Sequence, residues 1–152
     1  MLLAAKSNTR RSGATVVELT AVILIFLVLF FGIMEYCFIL FTYNIVENAA
    51  REGTRYAVVN VTDATMISDT QTYVQSLMCG FDTKMTNYSC NVYLADSAGK
   101  NINTKTVNAT TAQFGQYVCT DVSVDYVPMT PGLLFLTTFT IRSKCSMISE
   151  AN

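Results

Sequence analysis

An almost uninterrupted apolar run covers residues 21–34, and between Arg11 and Glu35 the chain carries a single charge, Glu18. Residues 16–34 would span about 28 Å as an α-helix, close to the roughly 30 Å hydrocarbon thickness of a bilayer. One membrane-crossing helix over residues 14–35 is therefore predicted. The helical pattern continues beyond it, because Tyr36, Ile39, Leu40, Tyr43, Val46, Ala50, Tyr56 and Ala57 recur at spacings of three, four and seven. Residues 36–60 are read as an amphipathic continuation, making one rod of about 45 residues and about 68 Å. Within it Glu47 and Arg51 form an i,i+4 pair of favourable polarity.

The remaining 61–152 reads as a small folded domain. Thr62 or Asp63 is the expected N-cap of a short second helix through Met66, Ile67, Tyr73, Val74, Leu77 and Met78, with Gly80 as its stop. Tyr88, Cys90, Val92 and Leu94 alternate with Ser89, Asn91 and Tyr93 as a strand does, and a turn follows at Asp96 to Gly99. Val118, Val122, Val124 and Tyr126 share one face, as do Leu133, Phe135, Phe139, Ile141 and Met147 further on. With Pro128 to Gly132 between them, these two stretches form a hairpin. A sheet with one apolar face needs a cover. The fold class is α+β: a long N-terminal membrane-spanning helix whose outer half packs on a small antiparallel sheet, plus one short helix.

Composition sharpens this picture. The 152 residues are 51% hydrophobic and 14% charged, with mean hydropathy +0.37, which is too apolar for an ordinary soluble domain. A net charge of −1 offers no basic surface for nucleic acid. Histidine is absent, which removes the usual general base and the commonest zinc ligand, so neither an enzyme nor a cofactor is expected. Lys6, Arg10 and Arg11 precede the apolar run, whereas Glu35 and Glu47 follow it before any cation. That asymmetry places the N-terminus in the cytoplasm and the domain outside.

Of the five cysteines, Cys37 sits at the edge of the apolar run, and Cys79, Cys90, Cys119 and Cys145 form an even set with three possible connectivities. Their intervals are far longer than the two to four residues or so that separate paired zinc ligands, so no metal is expected. Disulfides suit an extracytoplasmic compartment, and Cys79–Cys90 with Cys119–Cys145 is the expected pairing. The hairpin's apolar faces pull the other way. Aligning Val122 and Val124 with Phe139 and Ile141 requires an odd register, which turns Cys119 and Cys145 to opposite faces unless a bulge intervenes. Asp121 and Asp125 share a strand face and are read as exposed polar positions.

In the leader, residues 1–13, a small residue precedes the hydrophobic segment. This basic stretch, Gly13 and then Glu18 opening a hydrophobic helix, is similar to the class III signal of type IV prepilins. The resemblance implies that a prepilin peptidase cuts between Gly13 and Ala14, and that Glu18 then meets the freed α-amino group of an adjacent subunit. Leu19 departs from the aromatic residue that often follows the glutamate. A plainer reading has Glu18 as an acid favoured in a helix's first turn. A cleaved secretory signal fits less well, since its apolar core is only about 7–15 residues and its small-residue site lies behind that core.

Ala49-Ala50-Arg51-Glu52-Gly53, followed by Arg55-Tyr56-Ala57, resembles the AAREGARYA-type segment of TadE-like proteins, minor pilins or pseudopilins of bacterial tight-adherence (Flp) pili. The stretch from Val122 to Tyr126 and the later Thr130-Pro131 are loosely similar to that family's C-terminal half. The resemblance implies a single-pass protein of the bacterial inner membrane that takes part in pilus assembly for surface attachment. Its implied partners are membrane lipid, the prepilin peptidase, other pilins or pseudopilins and the inner-membrane assembly platform. The alternative is a permanent anchor that presents an extracytoplasmic binding or structural domain and never polymerises.

Overall fold

The computed structural model describes residues 11–78, 85–103, 109–130 and 137–150, with side chains from Gly13 onward. Helix α1 runs unbroken over Arg11–Val59, 49 residues, or about 73 Å at the α-helical rise. No proline interrupts it, and the hydroxyls of Thr20 and Thr42 bond back to its own backbone. Thr20 Oγ1 donates to the Val16 carbonyl at 2.8 Å and Thr42 Oγ1 to that of Phe38 at 2.9 Å, so neither hydroxyl needs water. After a tight turn, helix α2 covers Met66–Leu77. Its N-cap is Thr65, not Thr62 or Asp63, and Asp63 instead accepts from the Thr65 backbone N–H and hydroxyl, both at 3.0 Å. Gly80, the expected stop, lies outside the described residues.

Three antiparallel strands follow: β1 (Met85–Ala95), β2 (Tyr117–Tyr126) and β3 (Phe139–Ile148), with β2 in the centre. On the core face Val122 lies opposite Cys90, Thr120 opposite Val92 and Cys145, and Val124 opposite Ile141. One extra residue bulges β1 between Thr86 and Ser89, where Asn87 has φ 51°; asparagine tolerates that left-handed conformation better than most residues. Leu133 and Phe135 lie outside the described residues.

The expected disulfides are not present among the described residues: Cys37, Cys90, Cys119 and Cys145 are all free. Cys119 pairs with Ser146 and Cys145 with Thr120, so Cys119 points away from the core face and Cys145 toward it. The apolar alternation set this odd register, and it excludes a Cys119–Cys145 bridge. Cys79 lies outside the described residues.

The core fills the space between α1 and the sheet, with α2 alongside. Val46, Ala49, Ala50 and Ala57 of α1 meet Met66 and Val74 of α2, and Leu94, Val118, Val122, Val124 and Ile141 of the sheet. The inward face of α1 between residues 35 and 43 differs from the expected one. Tyr36, Leu40 and Tyr43 are exposed, whereas Glu35 and Thr42 are buried. Two polar residues turn inward there because the sheet supplies hydrogen bonds to one and the helix backbone satisfies the other.

Candidate functional site

The N-terminal half of α1 is a bare apolar cylinder. Val17 is 71% exposed, Phe26 62% and Ile33 66%, and no other part of the described chain covers them. A surface this large and apolar requires lipid or other helices around it. The described residues hold one helix long and apolar enough to cross a membrane, which fits a membrane anchor. Exposed apolar residues continue through Tyr36, Leu40, Phe41 and Tyr43, giving about 40 Å of such surface from Val16, more than a hydrocarbon core of about 30 Å. The surplus is rich in aromatic residues, which suit the membrane–water interface.

Gly13 and Ala14 lie in the first turns of α1, both exposed, with nothing within 4 Å of the position of a Cβ at Gly13. Glu18 is exposed and has no hydrogen-bond or ion-pair partner among the described residues. In the uncut chain the helix already runs from Arg11, and no acidic residue lies in its first turn. Lys6 and Arg10 lie outside the described residues, and Arg11 opens the helix.

Among the described residues Glu35 is the first buried position of α1, and its role was not visible in the sequence. It is 2% exposed. Its carboxylate accepts from the Tyr126 hydroxyl at 2.7 Å, from the Met129 N–H at 3.0 and 3.1 Å, and from the N–H and hydroxyl of Thr130 at 3.2 Å each. A charged side chain on α1 thus holds the end of β2 and the chain just beyond it. Burial first, and the facing carboxylate second, push the Tyr126 phenol above its ordinary pKa.

The segment around Gly53 explains itself by packing. Ala49, Ala50, Gly53, Thr54 and Ala57 are buried, and a Cβ at Gly53 would overlap Val74 Cγ2 and come within 3.4 Å of Thr120 Cγ2 and 3.8 Å of Thr70 Cγ2. Small residues let α1 approach α2 and the sheet together. Thr54 shares its proton between the Ala50 carbonyl at 2.7 Å and the Cys145 carbonyl at 3.1 Å, tying α1 to β3. Tyr56 stacks on Tyr73 of α2 with ring centroids 5.2 Å apart. Arg51 and Arg55 are exposed and Glu52 half-buried; Arg51 pairs with Glu47 as expected.

On the sheet face turned from α1, Asp121 is 4% exposed, contrary to the open polar position expected of it. Arg142 grips its carboxylate through two N–H groups, and Lys144 Nζ lies 3.6 Å away. Burial raises its pKa, but the two cations outweigh that and hold the carboxyl below its usual value. Asp125 accepts from Thr140 Oγ1 at 2.6 Å and Asn87 Nδ2 at 2.7 Å. Among the described residues no three Cys, Asp or Glu side chains gather as a metal site.

Residues 13–55 match the model of the TadE-like protein family, under a third of the chain. The match opens at Gly13, covers the bare helix and ends within the small-residue segment. No curated protein and no solved structure matches the chain.

Proposed function

We propose, from a segment that is TadE-like over residues 13–55, that this protein is a minor pilin or pseudopilin of a tight-adherence pilus. The chain inserts in the bacterial inner membrane with its leader in the cytoplasm and its α+β domain outside. A prepilin peptidase cuts after Gly13, leaving Ala14 as the N-terminus. The assembly platform then draws the subunit out of lipid among other pilins, in a filament that serves surface attachment.

One observation carries this reading: among the described residues nothing covers the apolar cylinder, and its one charge, Glu18, has no partner there. A carboxylate at the bilayer centre costs about 2.5–3.5 kcal/mol on the lenient insertion scale, and Glu18, about one turn inside the cytoplasmic end of the span, meets a smaller part of that cost. A free α-amino group, with a pKa of about 7.7–8.0, is largely cationic at neutral pH. Ala14 and Glu18 are about 6 Å apart along a helix axis, so a neighbouring helix displaced by one such step sets its amine level with Glu18. Each buried charge then gains a partner on leaving lipid, and the bare helices cover one another.

Mass spectrometry of the mature N-terminal peptide tests the proposal. Cleavage before Ala14 in cells carrying the peptidase supports it. An intact Met1, or a cut beyond Met34, identifies a permanent anchor or a secreted domain instead.

A further inference from the structure

The outer face of the sheet is not flat. After β1 the chain turns at Asp96, whose Oδ1 accepts the N–H groups of Ala98 and Lys100 at 2.9 and 2.8 Å, with Gly99 at φ 74°. It then returns along the free edge of β1: Ala95 bridges Asn101, the Ile102 N–H donates to the Leu94 carbonyl at 2.9 Å, and Asn103 Oδ1 accepts the Leu94 N–H at 2.6 Å. This raises a wall beside the row formed by Asn91, Asp121 and Lys144, which lie opposite one another across the three strands. The result is a cavity of about 370 Å³, within the usual range of ligand sites of about 300–1,000 Å³.

The chemistry of this cavity is lopsided. Two cations, Arg142 and Lys144, face one carboxylate, Asp121, leaving a surplus positive charge. The amide oxygens of Asn101 and Asn103 are engaged by backbone N–H groups, so among the described residues their Nδ2 groups remain free to donate. Arg142 spends Nε and one terminal nitrogen on Asp121, and Lys144 only touches that carboxylate at 3.6 Å. The uncommitted groups are therefore chiefly donors around one net positive charge. They suit a ligand with one carboxylate and several neighbouring hydroxyl or ether oxygens.

We infer that this cleft between the 96–103 turn and the outer sheet face binds a carboxylated saccharide, a uronate-type sugar unit. The carboxylate meets Lys144 and the outer edge of Arg142, and the ring oxygens meet the amides of Asn101 and Asn103. The inference depends on the cleft alone, so it stands or falls separately from cleavage after Gly13 and from polymerisation.

The test is calorimetric titration of the full chain in detergent with digalacturonate, and with digalactose, inorganic phosphate and triglutamate as comparators. Lys144→Gln removes the surplus charge while leaving the Asp121–Arg142 pair, and Asn101→Ala, on an exposed turn, removes a donor without touching either ion. Digalacturonate is expected to bind best, to weaken with salt, and to lose about tenfold in affinity in Lys144→Gln and a smaller factor in Asn101→Ala. No binding at millimolar digalacturonate, unchanged affinity in both variants, or equal or tighter binding of any comparator would overturn the assignment.

Discussion

The Tyr126 hydroxyl donates to the Glu35 carboxylate at 2.7 Å across 91 positions of sequence, fastening the far end of the central strand to the first buried position of the helix. Tyr126→Phe removes one hydrogen bond to a charged group and is expected to cost about 1.5–3 kcal/mol. Glu35→Ala should cost more, since it strips the acceptor from the Tyr126 hydroxyl and from the groups of Met129 and Thr130. Thermal unfolding in detergent gives the size of both effects. Hydrogen exchange supplies the local signature: faster exchange of the Met129 and Thr130 amides in Glu35→Ala, with β3 still protected.

The same pair sets an alkaline limit. Because the folded state holds the Tyr126 phenol above its usual value of about 10, its contribution is fully present below that pH and is lost as pH rises through the folded pKa. Asp121 has the opposite sign: its lowered carboxyl contributes above about pH 4, and the contribution fades as pH falls through the folded value. Melting temperature against pH should therefore drop at both ends. Tyr126→Phe is expected to shallow the alkaline limb and Asp121→Asn the acid limb; parallel curves for wild type and variants would contradict these assignments.

Much of this architecture is legible in the residue pattern, and the parts that are not share a cause. A proline-free apolar run with small residues behind it reads directly as one long helix, and the alternation of Val122, Val124 and Tyr126 against Phe139 and Ile141 yields the register that the sheet adopts. That alternation outweighs the symmetric placing of Cys119 and Cys145, because the core face of β2 buries Val118, Thr120, Val122, Val124 and Tyr126 together while a disulfide constrains one position. Glu35 is different. A charge directly after an apolar run reads as a topological marker, and two of the four groups that donate to it are the backbone N–H groups of Met129 and Thr130, which leave no trace in side-chain sequence. Asp121 is obscured similarly: its main partner, Arg142, sits diagonally across β3, opposite Ser123 rather than Asp121.

Gly53 is where three elements converge, and enlarging it should be costly. Gly53→Ala gains about 1 kcal/mol in helix propensity, yet its Cβ must displace the buried, branched Val74, and overpacking of this kind costs about 1–3 kcal/mol. A net loss of stability is expected, larger in Gly53→Val. The double variant Gly53→Ala with Val74→Ala should recover part of it, which thermal unfolding can measure. Destabilisation with no such rescue would place the cost elsewhere.

The strand register also makes a chemical prediction. Cys119 and Cys145 face opposite sides of the sheet, so alkylation of denatured but unreduced protein should label both thiols, and Cys119→Ser should not impair export of the domain. A disulfide-linked peptide joining the two in mass spectrometry would contradict the register.

Under the proposed function, Glu18 serves subunit-to-subunit pairing rather than insertion. Its most direct test is the amount of Glu18→Ala protein in sheared filaments, measured beside the amount in membranes of the same cells. Wild-type levels in the membrane, cleavage before Ala14, and filament content reduced to background are expected. Wild-type filament content in that variant would contradict that pairing.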